Sequence, residues 1–394
     1  MNRRRFLSIC TRGATVPAIV GLGVGGAGLA WANAPSGADY RRLLVLVELK
    51  GGNDGLNTVV PYTDADYYAL RPRIAIARDS VAQLDDRVGL HPALQPLLAM
   101  WSSHELAVLQ GVGYPAPNLS HFRSIEIWDT ASRSDEYLDR GWLTRTYAAA
   151  PAPASFAADG AIVGSNDLGP LAGSGARAIA VANTDRFIER ARLAHTEHAQ
   201  GNRALEHILR TEGEIVQAAA HLGTRHSFAA AFPSTAFGNV VRTACEIVAN
   251  PSGVACLRLT LNGFDTHTTQ AGTQARLLGD LAEGLVAFKS ALVELQRWND
   301  TLVLTYAEFG RRPRENQSGG TDHGTANVHF ALGGRVRGGL YGAMPDLARL
   351  DGTGNPLHAI DFRSIYGSVL DDWWNVPSAT VLGQRHERVP FIRA

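Results

Sequence analysis

The sequence predicts an α/β sandwich of three layers built on a mostly parallel sheet. Three observations carry that expectation. Continuous apolar runs at residues 43–47, 106–109 and 302–306 have the unalternating pattern of strands covered on both faces. Helical periodicity fills the stretches between them, as crossovers between parallel strands require. Hydrophobic residues make up 45% and charged residues 19% of 394, which is enough for a sizeable core.

Taken in order, the run at 43–47 ends in Gly51-Gly52-Asn53-Asp54-Gly55, a turn that places polar groups at the strand's carboxyl end. Residues 91–101 read as a helix and 106–109 as a second buried strand. Pro115 and Pro117 break the chain, and Asn118 or Ser120 caps a helix over 121–130. The Ala/Pro-rich stretch 148–160 reads as a surface loop and 178–182 as a strand. Residues 184–221 are helical with a polar face, so the block 184–230 is a helical cap or insertion. Further on come a helix at 237–248, a strand at 254–261 and a long amphipathic helix at 269–298. The last run, 302–306, is again a buried strand. No break in composition demands a second domain, so residues 35–394 form one α/β domain. Cys245 and Cys256 sit in apolar runs and read as buried thiols, with a disulfide left open. Trp373 and Trp374 help to seal the core.

Lys and Arg total 37, as do Asp and Glu, so no basic field marks a nucleic-acid partner. Residues 1–34 are set apart as an address. Arg3-Arg4-x-Phe6-Leu7 looks like a twin-arginine export signature, followed by a Gly-rich, weakly apolar stretch containing Pro17. Small-x-small sites at Ala30-Trp31-Ala32 and Ala32-Asn33-Ala34 end it, with cleavage expected after Ala32. Removing this segment removes four of the 37 cations and no acid, which leaves a net charge of −4. Passage through the twin-arginine machinery, a periplasmic or extracellular location and no stable membrane span after cleavage are the expectations.

Four polar clusters follow strands or open a helix, where sites in open α/β folds lie. Asp54, just after the first strand, is placed to bind a cation, with an ordinary Asn-Asp-Gly turn as the competing account. Ser120 opens the 121–130 helix, where the dipole and free N–H groups favour an anion; it either caps the helix or serves as a nucleophile. Asp265-Thr266-His267 puts a carboxylate and an imidazole on one side of an extended backbone, as a hydrogen-bonded pair or as ligands for zinc or manganese. Asp322-His323-Gly324 with His329 is the strongest cluster: three potential ligands fall within eight residues, and Gly324 permits close backbone approach. Glu308-Phe309-Gly310-Arg311 comes off another strand.

The Asp322-His323-Gly324 motif resembles the metal motif of the alkaline phosphatase superfamily, which includes phosphatases, phosphomutases and sulfatases. More closely, the chain resembles the DUF1501 family of secreted bacterial proteins through Gly51-Gly52-Asn53-Asp54-Gly55-Leu56-Asn57-Thr58-Val59-Val60-Pro61, Gly263-Phe264-Asp265-Thr266-His267 and Thr321-Asp322-His323-Gly324. The resemblance implies an alkaline-phosphatase-like fold and a hydrolase of a phosphate or sulfate ester with one or two divalent ions, zinc or manganese. It implies that Asp54, Asp322 and His323 surround one ion and that Asp265, His267 and His329 hold the other. Ser120 then falls at the nucleophile's place, Arg123 or Arg311 pairs with anionic oxygens, and His121 assists the leaving group. The substrate is a small anionic ester or a polysaccharide. Two departures stand out: Asp265 and His267 are closer together, and His329 is closer to the Asp-His-Gly motif, than in the superfamily's pattern. Cys-x-Pro-x-Arg, the formylglycine sulfatase signature, is absent. The alternative function is a non-catalytic relative that binds an anionic glycan or lipid head group, or assists envelope assembly.

Overall fold

The computed structural model describes residues 37–182, 187, 189 and 226–393. The expected export signal and most of the expected 184–230 insertion lie outside the described residues.

The strands, in chain order, are β1 (Leu43–Lys50), β2 (Val59–Val60), β3 (Ala82–Gln83), β4 (Gly89–Leu90), β5 (Leu106–Gly113), β6 (Ala158–Val163), β7 (Ala178–Ala180), β8 (Val254–Asn262), β9 (Thr301–Tyr306), β10 (Asn327–Leu332), β11 (Gly339–Gly342) and β12 (Ile360–Asp361). Nine of them make the main sheet in the order β11-β5-β10-β9-β1-β8-β6-β7, with β12 also on β5. β2, β4 and β3 form a small antiparallel ribbon. In the main sheet β10 alone runs backwards, antiparallel to β5 and β9. The other pairings are parallel. Because β10 is reversed, the loop that feeds it enters at the edge where the parallel strands end.

The sheet is the middle layer, as its apolar runs predict. On β1, Leu43, Val45, Val47 and Leu49 face one core, shared with Val241 and Ile247 of the Ala236–Val248 helix and with Leu281 and Phe288 of the Gln270–Glu294 helix. Leu44 and Leu46 face a second core, shared with Ile127 and Trp128 of the His121–Thr130 helix, Trp142 of the Trp142–Ala149 helix, and Trp373 and Trp374. Strand alternation alone produces this two-sided burial. The tryptophans also tie the strand's start, since their indole N–H groups donate to the carbonyls of Leu43 and Arg42 at 3.3 and 2.7 Å. Glu48 breaks the apolar pattern. It pairs at 2.8 Å with Arg258 of β8, both side chains fully buried, and Arg258 also donates to Tyr306.

Two elements differ from expectation. The expected surface loop at 148–160 holds over 150–157, but its last three residues open β6, all of whose residues are buried. Its Ala and Gly residues read as loop in composition, yet Gly160 is small because a Cβ there would meet Leu171 at 2.6 Å. The expected helix at 91–101 is a 3₁₀ stretch, Pro92–Leu97, followed by a short α-helix, Leu98–Ser102, because Pro96 interrupts it. Cys245 and Cys256 are free and buried.

Candidate metal centre

The turns after β1, β8 and β9, the loop before β10 and the start of the His121–Thr130 helix all meet at the carboxyl edge of the sheet. Arg311 holds them there. Its buried guanidinium donates to the carbonyls of Gly52 at 2.8 Å, Thr321 at 2.9 Å and Phe264 at 3.0 Å, to that of Gly51, and to Asp265 Oδ1 at 2.8 Å. One side chain thus ties the turns after β1 and β8 to the connection between β9 and β10. Glycine allows the packing: a Cβ on Gly324 would collide with the Arg311 carbonyl carbon, and one on Gly51 with the Asp265 N–H.

Asp265 is the centre of the cluster. Its Oδ1 lies 3.1 Å from His267 Nε2 and 3.2 Å from His323 Nε2, and the two imidazole nitrogens are 3.0 Å apart. His121 Nε2 lies 3.5 Å from Asp265 Oδ2. Each imidazole is oriented from behind. His323 Nδ1 meets the Leu119 carbonyl at 2.8 Å, and a carbonyl only accepts, so the proton sits on Nδ1. His267 Nδ1 faces Asp322 Oδ1 at 3.3 Å, with Asn316 Nδ2 donating to the same oxygen. His121 Nδ1 meets Glu308 Oε1 at 2.8 Å, an oxygen that also accepts from the Gly51 N–H.

With Nδ1 engaged from behind, the three imidazoles turn Nε2 towards one carboxylate. Lone pairs at these separations repel unless a cation or a proton lies between them. A tetrahedral ion with bonds of about 2.0–2.1 Å holds its ligands roughly 3.3–3.4 Å apart. Asp265, His267 and His323 therefore fit an ion within a few tenths of an ångström, and His121, which with Asp265 and His323 offers ligand atoms within 4.8 Å of one another, borders the remaining side.

The electrostatics agree. Burial by itself raises the Asp265 carboxyl, but the hydrogen bond and charge of the Arg311 guanidinium outweigh it, and the pKa stands at about 2. His323 is lowered, first by burial, which favours the neutral ligand form. His121 is raised, first by its hydrogen bond to Glu308.

Of the residues expected at the site, His121, Asp265, His267, Arg311, Asp322 and His323 come together. Asp322 stands behind His267, and Arg311 spends its donors on backbone and Asp265. Ser120 is exposed between Leu119 and His121, and its hydroxyl does not cap the helix. Arg123 is turned away. It donates to the carbonyls of Arg133, Ser134 and Glu136 and stacks on Tyr137 at 3.9 Å. Asp54 is fully buried and paired with Arg71 at 2.6 Å. His329 lies inside β10, 1% exposed, packed edge-on against Trp128 at 5.3 Å. The two expected ligand sets thus collapse into one. Sequence reading left Glu308, Asn316 and Arg71 without roles. Glu308 carried a usable signal, because it follows β9 as Asp265 follows β8.

The model of the DUF1501 family, described as "Protein of unknown function (DUF1501)", matches residues 76–382, and the chain belongs to that family. The match spans the Gly263–His267 and Thr321–Gly324 phrases and begins after the Gly51–Pro61 phrase. No curated protein matches the chain. Among solved structures, the zinc complex of the C-terminal periplasmic domain of EcEptC from Escherichia coli is similar at 11% identity, over 76% of this chain and 74% of that one, with a TM-score of 0.34. The lipoteichoic acid synthase LtaP from Listeria monocytogenes is similar at 12% identity, 77% and 68% coverage and a TM-score of 0.31. Alkaline phosphatase from the Antarctic bacterium TAB5 gives 10%, 76% and 94%, and 0.33. At these scores the likeness fixes no site residue and no activity.

Proposed function

We propose that this DUF1501 protein is a metal-dependent hydrolase of a phosphate or sulfate ester, with its ion held by Asp265, His267 and His323. The observation that carries the reading is the convergence of two imidazole lone pairs and a carboxylate oxygen within 3.0–3.2 Å, each fixed from behind. Two histidines and a carboxylate with an open position are a catalytic rather than a closed structural set. Zinc or manganese suits it.

When bound, the ion supplies Lewis acidity towards the ester's oxygens. The chain's own residues do the rest in this reading. Asp322 and Asn316 hold the His267 ring. Arg311 holds Asp265 and the surrounding loops. His121, with its Nδ1 proton on Glu308, exchanges a proton at Nε2 with the attacking or leaving oxygen. Ser120 offers a hydroxyl at the N-terminus of a ten-residue helix, where developing negative charge is favoured. Export through the segment 1–34 and an extracytoplasmic location belong to the same proposal. Among the described residues no helix is long and apolar enough to cross a membrane.

A second reading, a non-hydrolytic binder of an anionic glycan or lipid head group, is favoured by the close spacing of Asp265 and His267, which departs from the superfamily's hydrolase pattern. The two are separated by loading the mature protein with zinc or manganese and assaying chromogenic phosphate and sulfate esters. Hydrolysis lost in Asp265→Ala and His323→Ala together with the ion, and lost in Ser120→Ala with the ion retained, is expected. A bound ion without turnover on any ester moves the protein to the binder reading. Failure to bind any divalent ion overturns the hydrolase and leaves the binder without a metal.

A further inference from the structure

Resting on that reading of the cluster, we infer that the site takes a single ion, and that the guanidinium of Arg71 occupies the electrostatic place a second ion would have beside Asp54. The family resemblance expects a carboxylate after the first strand to ligate metal. Asp54 has no capacity left to do so. Its Oδ1 accepts from the Leu56 and Asn57 N–H groups at 3.2 and 3.4 Å and from Arg71 Nη2 at 3.0 Å. Its Oδ2 accepts from Arg71 Nη1 at 2.6 Å and from Gln270 Nε2. A carboxylate offers about four lone-pair sites, and all are taken.

Arg71 is equally committed. Its five N–H groups reach the Pro313 carbonyl at 2.7 Å, Asp54 Oδ2, Asn57 Oδ1 at 2.7 Å, Asp54 Oδ1 and the Arg312 carbonyl at 3.0 Å. Both side chains of the pair are 0% exposed. Entry of an ion at Asp54 would strand a buried guanidinium without its carboxylate, at a cost that ion binding in a place with no other free ligand does not offset. His329, expected to join Asp265 and His267, is walled into β10 against Trp128. What remains, Asp265, His267 and His323, is one ligand set.

The substitution has a structural consequence. A guanidinium is charged at every accessible pH and cannot dissociate. Through the Arg312 and Pro313 carbonyls it braces the segment that runs on to Asp322 and His323. Gln270 extends the brace, since it donates to Asp54 and accepts from Thr321 Oγ1 at 2.6 Å. The loop bearing the ligands is therefore anchored before any ion arrives.

The test is ion stoichiometry on the mature protein, saturated with Zn²⁺ or Mn²⁺ alone, freed of excess and analysed for metal. One equivalent in the wild type, one in Asp54→Asn and none in Asp265→Ala is expected. Two equivalents in the wild type overturn the inference, whether or not the Asp54→Asn protein folds. A second equivalent lost specifically in Asp54→Asn would assign that ion to the Asp54 carboxylate. No equivalent in the wild type overturns the proposed function itself, and this inference with it.

Discussion

Each histidine of the cluster sets Nδ1 against an oxygen and turns Nε2 towards Asp265, and the oxygen differs in each case. For His121 it is Glu308, a carboxylate that stabilises the imidazolium, so Glu308→Gln preserves an acceptor but removes its charge. We expect turnover to fall about 10- to 100-fold with ion content unchanged; equal loss of the ion would mean that Glu308 acts on the metal set instead. His329 obeys the opposite logic. Both ring nitrogens are buried without a hydrogen-bond partner. Burial pushes its pKa from 6.5 to about 3. The folded state refuses a proton that the unfolded chain accepts below pH 6.5, so stability is complete above that value and is lost as pH falls. Between pH 7 and pH 5 the loss is roughly 2 kcal/mol. His329→Leu removes this slope and is neutral or stabilising at pH 7. Urea unfolding at both pH values checks it, and an unchanged slope would reject it. The composition of the site was legible at this scale: Asp265 and His267 stand out as polar groups placed after a strand, and Asp322 and His323 as a dense ligand motif. Their division of labour was not. A histidine six residues after His323 looks like a ligand until β10 turns it into the core, and nothing near Asp54 in sequence announces Arg71.

Among the elements, the long apolar strands were readable because both faces are covered, which leaves no alternation to confuse them with helices. β6 was hidden by its small residues, and β10 by the polar cluster that precedes it. Yet the reversal of β10 is what makes the site, because it brings Asp322 and His323 to the edge where β8 delivers Asp265 and His267. The loop before β10 has to pass close under the turn after β9. A Cβ on Gly324 would lie 2.6 Å from the Arg311 carbonyl oxygen and from Arg312 N, both backbone atoms that cannot swing aside. Gly324→Ala is therefore expected to cost about 1–3 kcal/mol and to weaken ion binding, since it displaces Arg311 and His323 together. Gly272 is the control. It lies in the Gln270–Glu294 helix, and a Cβ added there would meet nothing within 4 Å. Gly272→Ala should stabilise by about 0.5–1 kcal/mol without touching the ion. Thermal melts and zinc titrations of the pair decide the matter: a Gly324→Ala protein with wild-type stability and affinity would show that the approach of the two loops is not a constraint.

For the molecule as a whole, the proposed ion would be a cross-link between elements far apart in sequence, joining the end of β8 to the approach of β10 beside the start of the His121–Thr130 helix. A ligand that binds only the folded chain stabilises it by mass action, by about 2.7 kcal/mol at a concentration one hundredfold above its dissociation constant. Zinc or manganese should therefore raise the melting temperature of the wild type, and the rise should grow with the logarithm of ion concentration. Asp265→Ala must abolish the rise, because it removes the oxygen on which His267, His323 and Arg311 converge. Asp54→Asn must leave the rise intact while lowering the baseline, because it weakens a buried pair that serves the ion-free fold. Arg71 and Arg311 make a related distinction. Both brace the ligand-bearing loops from within, so chelation should return the protein to the ion-free melting temperature and leave it cooperatively folded. Unfolding on chelation at room temperature would mean that the metal, rather than the two arginines, organises the carboxyl edge of the sheet.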